Sequence, residues 1–455
     1  MDIVNTENLR RTVIYIAWPA VLRTFLNMIV QIVDMAMVGR LGAVPLAAVG
    51  LGNQVFFFSV AVVQALSVGT TALVAQAIGK GDPETAKKVA RQSLSAVLVT
   101  TFFLSILVVI FSQRIINGIV YFMPEKNLEI ITLGGSYLGI VGISISLRFS
   151  LLVVNGIFQG AGDTRTPLYL MTLTNILNVI GNYFLIFGAG PFPALGVQGA
   201  ALATCGAGLF GGGLGIVLLF SRFSPIPLNF RLSKFFTLQK QILSRVLRIG
   251  APSAAEQIII HSSRLLYSMV VASLGALAVA AQQILHNTYT MTYLPGIGFS
   301  LAATTLVGQC LGANKKKRAL KSGMETTRLA LLIMSAAGLL FFFFPQTVTR
   351  FFTREAGVQE LTAHPLMLLA LTQPAIAYIV SLTGGLRGAG DTRWVMFLTL
   401  INMLGLRLGL TLLLVRIGWG LTGVWLAMLI ESYLRAAFIL YRFRHKIPEV
   451  KPLIK

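Results

Sequence analysis

Charge is scarce in this 455-residue chain, and acidic charge is scarcer still: 11% of residues are charged, with 37 Lys and Arg against only 15 Asp and Glu. A soluble globule of this size needs far more charged surface than that, so a water-surrounded fold is excluded. Cysteine is almost absent. Cys205 and Cys310 both lie inside apolar stretches, where they read as small packed hydrophobes, and a disulfide framework is excluded. Four histidines and two cysteines without metal-ligand spacing offer no metal centre. No glycine-rich phosphate loop is present, which argues against ATP as the energy source. Nothing in the residue pattern points to catalysis of a chemical reaction.

Apolar length is what the chain has in abundance. It is 55% hydrophobic with a mean hydropathy of +0.79. Runs such as Ser93–Phe111, Leu168–Phe187 and Leu329–Phe344 are as long as a helix needs to cross a hydrocarbon core of about 30 Å. Breaks at Gly, Pro and charge clusters divide the chain into twelve predicted spans, at 13–38, 46–78, 88–111, 130–158, 166–188, 196–221, 249–272, 276–311, 319–347, 364–385, 393–416 and 420–441. The first is too long for a cleavable signal and lacks a small-residue cleavage site. The expected fold is therefore an all-α polytopic membrane protein. Phe341–Phe344 should face lipid, and Gly211–Gly213 should allow close helix packing.

The net charge of +22 is not a nucleic-acid patch, because it is placed by loop. Alternate loops carry the basic residues, among them Arg10, Arg11, Lys87, Lys88, Arg91, Arg245, Arg248, Lys315–Arg318, Arg442 and Arg444. The intervening loops hold only Arg40, Arg114, Lys126, Arg350, Arg354 and Arg416. That asymmetry predicts both termini in the cytoplasm and basic loops facing anionic lipid.

The six letters GAGDTR occur twice, at Gly160–Arg165 and Gly388–Arg393, 388 − 160 = 228 positions apart. Pro19 falls on Pro252, Gly42 on Gly275, Gln76 on Gln309 and Gly79 on Gly312, each pair 233 apart, and Gly196–Gly199 matches Gly420–Gly423. The chain thus reads as two six-helix lobes, 1–221 and 249–441, joined by a basic cytoplasmic linker over 222–248 and followed by a tail over 442–455. An even number of spans per half makes the repeat parallel, a plan in which solute sites lie near the repeat interface. GAGDTR itself reads as a duplicated turn, with Asp163 and Asp391 placed to cap the following helix.

A charge inside a span is expensive and marks a functional candidate. Asp34, in QIVDMAMVGR, is the only carboxylate of the N-terminal half predicted inside a span. Tyr137, Asn178, Asn182 and Thr204 fall at a similar depth in spans four, five and six, so a polar cluster able to exchange a proton or hold a small cation is expected there. Glu256 in span seven is the repeat mate of Arg23, since 256 − 233 = 23, which makes Arg23 a candidate ion-pair partner, with Arg264 as a rival. His261 and His286 read as interior histidines, and Glu431 with Arg435 as an ordinary helix pair. Met28, Met171, Met291, Tyr289 and Tyr293 suit a surface for varied apolar cations.

The twelve spans, the repeat, PAVLRTFLNMIVQIVDMAMVGRLG at 19–42, NGIFQGAGDTRTP at 155–167 and LGVQGAALAT at 195–204 resemble the multidrug and toxic compound extrusion (MATE) transporters over essentially the whole chain. That resemblance implies export of organic cations in exchange for H⁺ or Na⁺, no bound cofactor, and a multi-pass, monomeric protein of the inner (plasma) membrane. It implies that Asp34 matches a coupling carboxylate of one branch, that Pro19 matches the proline at which the first helix bends, and that Asn27 and Asn155 match polar positions of a cavity in the N-terminal half; Gln31 is a further candidate for binding the solute. In that branch a second Asp commonly stands where this chain has Asn182, so protonation of Asp34 alone is favoured over a two-carboxylate Na⁺ site. Another branch uses carboxylates of span ten, and Pro365–Gly385 contains none. The alternative within the superfamily is a flippase for lipid-linked saccharides, which the low number of cationic cavity residues disfavours.

Overall fold

The computed structural model describes residues 6, 8–121, 127–188, 190–228, 239–450 and 452–454, without the side chains of residues 57, 58, 61 and 62. Lys126, named above among the loop charges, lies outside the described residues, as do the basic residues Arg231 and Lys234 of the linker and Lys451 and Lys455 of the tail. Every regular element among the described residues is helical: α1 Leu9–Gly39, α2 Ala43–Lys80, α3 Pro83–Val120, α4 Leu128–Gly160, α5 Arg165–Phe187, α6 Gly196–Phe220, α7 Lys240–Ala272, α8 Ala276–Gly312, α9 Lys316–Phe343, α10 Pro345–Phe352, α11 Ala356–Ala389, α12 Thr392–Arg416 and α13 Gly420–Lys446. With the short α10 set aside, these are twelve long helices, two sets of six, and the protein is an all-α polytopic membrane protein with an internal parallel repeat. Several helices run past the predicted limits. α3 continues to Val120 and α11 begins at Ala356, since a helix need not stop where the hydrocarbon does. Two features were not anticipated: α10, opened by Pro345 at its first position, and a π-helical stretch, Ile401–Arg407, inside α12.

The repeat is visible in the backbone of its turns. Gly162 and Gly390, third letters of the two GAGDTR copies, have φ +92° and +84°. Both follow the same capping pattern: Asp163 N donates to Phe158 O and Asp391 N to Leu386 O, each at 2.9 Å. A left-handed residue there favours glycine because a Cβ would crowd the next carbonyl. The first letters are fixed for another reason. A Cβ on Gly160 would stand 2.7 Å from Thr71 O, and one on Gly388 would stand 2.3 Å from Thr304 O. Thr71 and Thr304 are themselves repeat mates, 233 apart. Gly81 and Asn314, mates once more, share a left-handed turn at φ +78° and +58°.

The two Asp residues of the motif have diverged. Asp163 Oδ1 accepts from the amides of Arg165 and Thr166, both at 3.0 Å, as an N-cap should. Asp391 occupies the cap position without a side-chain cap bond and instead accepts from Arg442 Nε at 2.8 Å. The expected cap therefore forms in one copy only.

By internal contact the chain forms two compact units. One comprises Met1–Thr24, Ala75–Asp82 and Ala251–Lys455; the other comprises Phe25–Val74 and Pro83–Gly250. α1 thus gives its first turns to one unit and the remainder, with Asp34, to the other. In the second unit α6 packs closely through small residues. A Cβ on Gly212 would lie 2.0 Å from Leu147 O in α4, and one on Gly211 would lie 2.2 Å from Thr174 Oγ1 in α5. Gly213 faces open space. In the first unit Val13, Ile16, Leu285, Leu306, Leu366 and Trp425 belong to one buried cluster, while Phe343 and Phe344 are exposed as a lipid-facing end requires.

Candidate functional site

Polar residues on α1 and α5 fall on matched faces. Asn27, Gln31 and Asp34 are spaced by four and three along α1; Asn175, Asn178 and Asn182 are spaced by three and four along α5. Each triplet therefore lines one side of its helix. The two helices meet in register, with partners 148 residues apart at both ends. Asn175 Nδ2 donates to Asn27 Oδ1 at 3.1 Å, and Asn182 Nδ2 donates to Asp34 Oδ1 at 2.7 Å. The chain of amides continues as Asn178 Nδ2 donates to Thr204 Oγ1 of α6 at 3.3 Å. Asn178 and Asn182 are buried and Asp34 is half-buried, so the carboxylate sits where an apolar wall gives way to an open side.

Tyr137 closes the cluster from α4. It is buried, within electrostatic reach of Asp34, hydrogen-bonded with Thr204, and its hydroxyl donates to Asn53 Oδ1 at 3.3 Å. All five residues expected at one depth, Asp34, Tyr137, Asn178, Asn182 and Thr204, are brought together. Asn53, Asn175 and Arg148 were missed from sequence. The Asn175 signal was the 3–4 spacing along α5. Arg148 was overlooked because it stands alone in an apolar run, yet it lies within electrostatic reach of Asp34. Its stem packs over Gly208, where a Cβ would come to 3.1 Å, and its guanidinium lies 5.9 Å from the Phe56 ring centre.

The other candidates make no hydrogen bond to this cluster among the described residues. Asn155 is buried with Oδ1 unpartnered, Gln31 is exposed, and Met28 and Met171 are half-buried. Pro19 lies inside a continuous α1, and Arg23 is half-buried one turn further on. Tyr289 and Tyr293 belong to the other unit and stack with centroids 5.4 Å apart.

Glu256 requires a correction. It is 2% exposed, and its partners are neither Arg23 nor Arg264. Arg387 Nη2 of α11 donates to Oε2 at 2.8 Å, Arg435 Nη2 of α13 lies 3.8 Å from Oε1, and Thr399 Oγ1 of α12 donates to Oε1 at 3.4 Å. Repeat symmetry suggests Arg23, but a buried carboxylate takes the nearest buried cations, and α11 and α13 bring Arg387 and Arg435 to it. Arg435 also joins Glu431 at 3.9 Å, as the helix spacing predicted.

A doubled six-helix bundle with a carboxylate and a train of amides inside the membrane defines a polytopic solute transporter, not an enzyme. The MatE family model matches residues 19–184 and again 252–413, one copy in each half and beginning at the paired prolines. The chain belongs to the MatE family. It is 32% identical over 438 residues to a probable multidrug resistance protein NorM of Thermotoga maritima, covering 96% of this chain and 92% of that one. It is 27% identical over 440 residues to the uncharacterized transporter YisQ of Bacillus subtilis, covering 95% and 93%. A solved outward-facing multidrug resistance MATE family transporter of the MOP superfamily superposes with a TM-score of 0.88 over 98% of both chains at 23% identity, which shows the shared fold.

Proposed function

We propose that this protein is a secondary exporter of lipophilic organic cations that takes up a proton for each cycle of release, with Asp34 as the exchange site. The observation that carries the reading is the Asp34–Asn182–Asn178–Thr204 cluster with Tyr137 beside it. The multidrug names of the NorM relatives supply the substrate class. Ionised, the carboxylate favours a bound cation nearby; protonated, it offers none of that attraction. Amides and hydroxyls surround it, so Asp34 is the carboxylate of the cluster and the group at which a proton would be exchanged. Arg148 adds a fixed positive charge within reach, which opposes any added cation, proton and Na⁺ alike; what favours the proton is that Asn182 leaves a single carboxylate where Na⁺ would be better held by a pair. In this reading Asn27, Gln31, Asn155, Met28 and Met171 line the cation's path, and Pro19 and Arg23 lie where α1 rearranges. Tyr289 and Tyr293 offer a stacked aromatic face to the same class of solute, with Glu256 setting the charge behind it. The halves 1–221 and 249–441 act as the moving lobes of a monomer in the plasma membrane, with both termini and the linker cytoplasmic.

The test is uptake of a fluorescent cation into everted vesicles under an imposed proton or sodium gradient. Accumulation driven by the proton gradient alone is expected. Uptake indifferent to both gradients would refute exchange, and uptake driven only by Na⁺ would assign the other ion.

A further inference from the structure

Arginine is in surplus inside the unit that contains Ala251–Lys455. Arg264, Arg387, Arg407 and Arg435 stand in α7, α11, α12 and α13, against the two buried carboxylates Glu256 and Glu431. Those carboxylates are committed: Glu256 to Arg387 and Arg435, and Glu431 to Arg435. Among the described residues, Arg264 and Arg407 have no carboxylate within ion-pair distance. Both are nevertheless within electrostatic reach of Tyr289, and Arg264 is also within reach of Tyr293, His261 and His286. Tyr289 thus has both arginines within reach.

Arg407 is held there by built structure. It is the last residue of the π-helical stretch Ile401–Arg407. π segments recur at functional positions because the extra residue re-aims the side chains around it. The repeat mate of α12, α5, is α-helical throughout, so this distortion belongs to one half only. It is pinned by Tyr267, whose hydroxyl donates to the carbonyl of Met403 inside the π stretch. The same tyrosine ring lies under the Arg407 guanidinium, 4.4 Å from its carbon to the ring centre. Arg407 Nε is buried and meets no acceptor. With Nε shielded and the residue half-buried, the terminal nitrogens of the stacked guanidinium are the donors left to a hydrogen-bond acceptor. Arg264 is exposed and Arg407 half-buried. Charges bared to hydrocarbon are too costly to keep, so both border water.

We propose that this unit holds an oxyanion site in which Arg407, assisted by Arg264, takes a carboxylate or phosphate group. The site goes beyond cation export, and its existence does not depend on proton exchange at Asp34. Its ligand is either the acidic group of a zwitterionic solute or the headgroup of an anionic lipid, which present the same oxygens.

The test uses two dyes that share a xanthylium cation and differ by one acidic group: rhodamine B and its ethyl ester. Binding of each to the purified full-length protein is measured by fluorescence anisotropy at fixed pH, in maltoside micelles and in nanodiscs. Charged hydrogen bonds of this type predict that wild type in micelles prefers rhodamine B by at least about tenfold. Arg407→Gln should bring the two dyes to within about twofold while leaving the ester's affinity unchanged, and Arg407→Lys should keep part of the preference. A preference that survives in phosphatidylglycerol nanodiscs assigns the site to a solute. One that persists in phosphatidylcholine and vanishes in phosphatidylglycerol assigns it to the lipid headgroup. Equal affinities in wild-type micelles would overturn the site, as would an Arg407→Gln protein that loses both dyes equally or neither. Failure of the ester to bind, with rhodamine B still bound through Arg407, would count against cation export and leave the oxyanion site standing.

Discussion

Asp34 and Asn182 show how much one atom decides. An amide in place of a second acid leaves one titrating group in the cluster, held by a 2.7 Å hydrogen bond from Asn182. Asp34→Asn should therefore abolish gradient-driven export while leaving the protein folded and able to bind dye, checked by vesicle uptake against binding to purified protein. Asn182→Asp restores a pair of carboxylates, and export by this variant should acquire a dependence on Na⁺. Glu256 belongs to a different class of residue. It neutralises Arg387 and Arg435 in a buried setting, so Glu256→Gln should destabilise the protein by about 3–5 kcal/mol, read as a lowered midpoint of thermal unfolding. A normal midpoint with lost transport would move Glu256 from a fold-holding role into the transport path. The Asp34 cluster was legible in the sequence because its members sit at one depth, counted along helices of known rise. The Glu256 partners were not, since Arg387 lies 131 residues away and no helix count relates them.

Elements repeat where backbone geometry demands it and diverge where side chains took on other work. GAGDTR survived twice because two of its letters are glycines for separate reasons, a left-handed φ at Gly162 and Gly390 and a carbonyl pressed against Gly160 and Gly388. Gly162→Val and Gly390→Val should each cost about 1–2 kcal/mol for the left-handed backbone, read as a lowered thermal midpoint, with a further loss at Gly390, where a Cβ would stand 2.9 Å from Leu453 Cδ1. An unchanged midpoint in Gly162→Val would mean that the left-handed turn is not what fixes that glycine. Such turns were readable from the letters. The π stretch in α12 was not, because an α-helix and a π-helix share the same apolar pattern. Tyr267, 136 residues from Met403, accepts no local rule as a predictor of where it docks. Helix ends were similarly hidden: hydropathy marks where a segment enters lipid, and α3 and α11 keep their hydrogen bonds well beyond that point.

At the scale of the whole molecule, charge placement and proton linkage make separate demands. The orientation proposed from the loop asymmetry of Lys and Arg has the 222–248 linker inside; in a background lacking Cys205 and Cys310 a membrane-impermeant maleimide should then label Arg354→Cys from outside and leave Phe223→Cys unreacted. Phe223 is 76% exposed, so its silence would report the membrane barrier and not burial. Exchange by one carboxylate carries a stricter consequence. If a cation and a proton exclude each other at Asp34, each must weaken the other by the same factor, because both effects are sides of one thermodynamic cycle. The sign follows: lowering pH protonates Asp34 and should weaken dye binding, while adding dye to wild-type protein in weak buffer should release protons. Asp34→Asn removes the group that titrates, so its dye affinity should lose that pH dependence and its proton release should fall away. Dye affinity that declines with falling pH in the variant as in wild type would place the coupling proton elsewhere, and the half of the molecule holding Glu256, His261 and His286 would then be the next place to look.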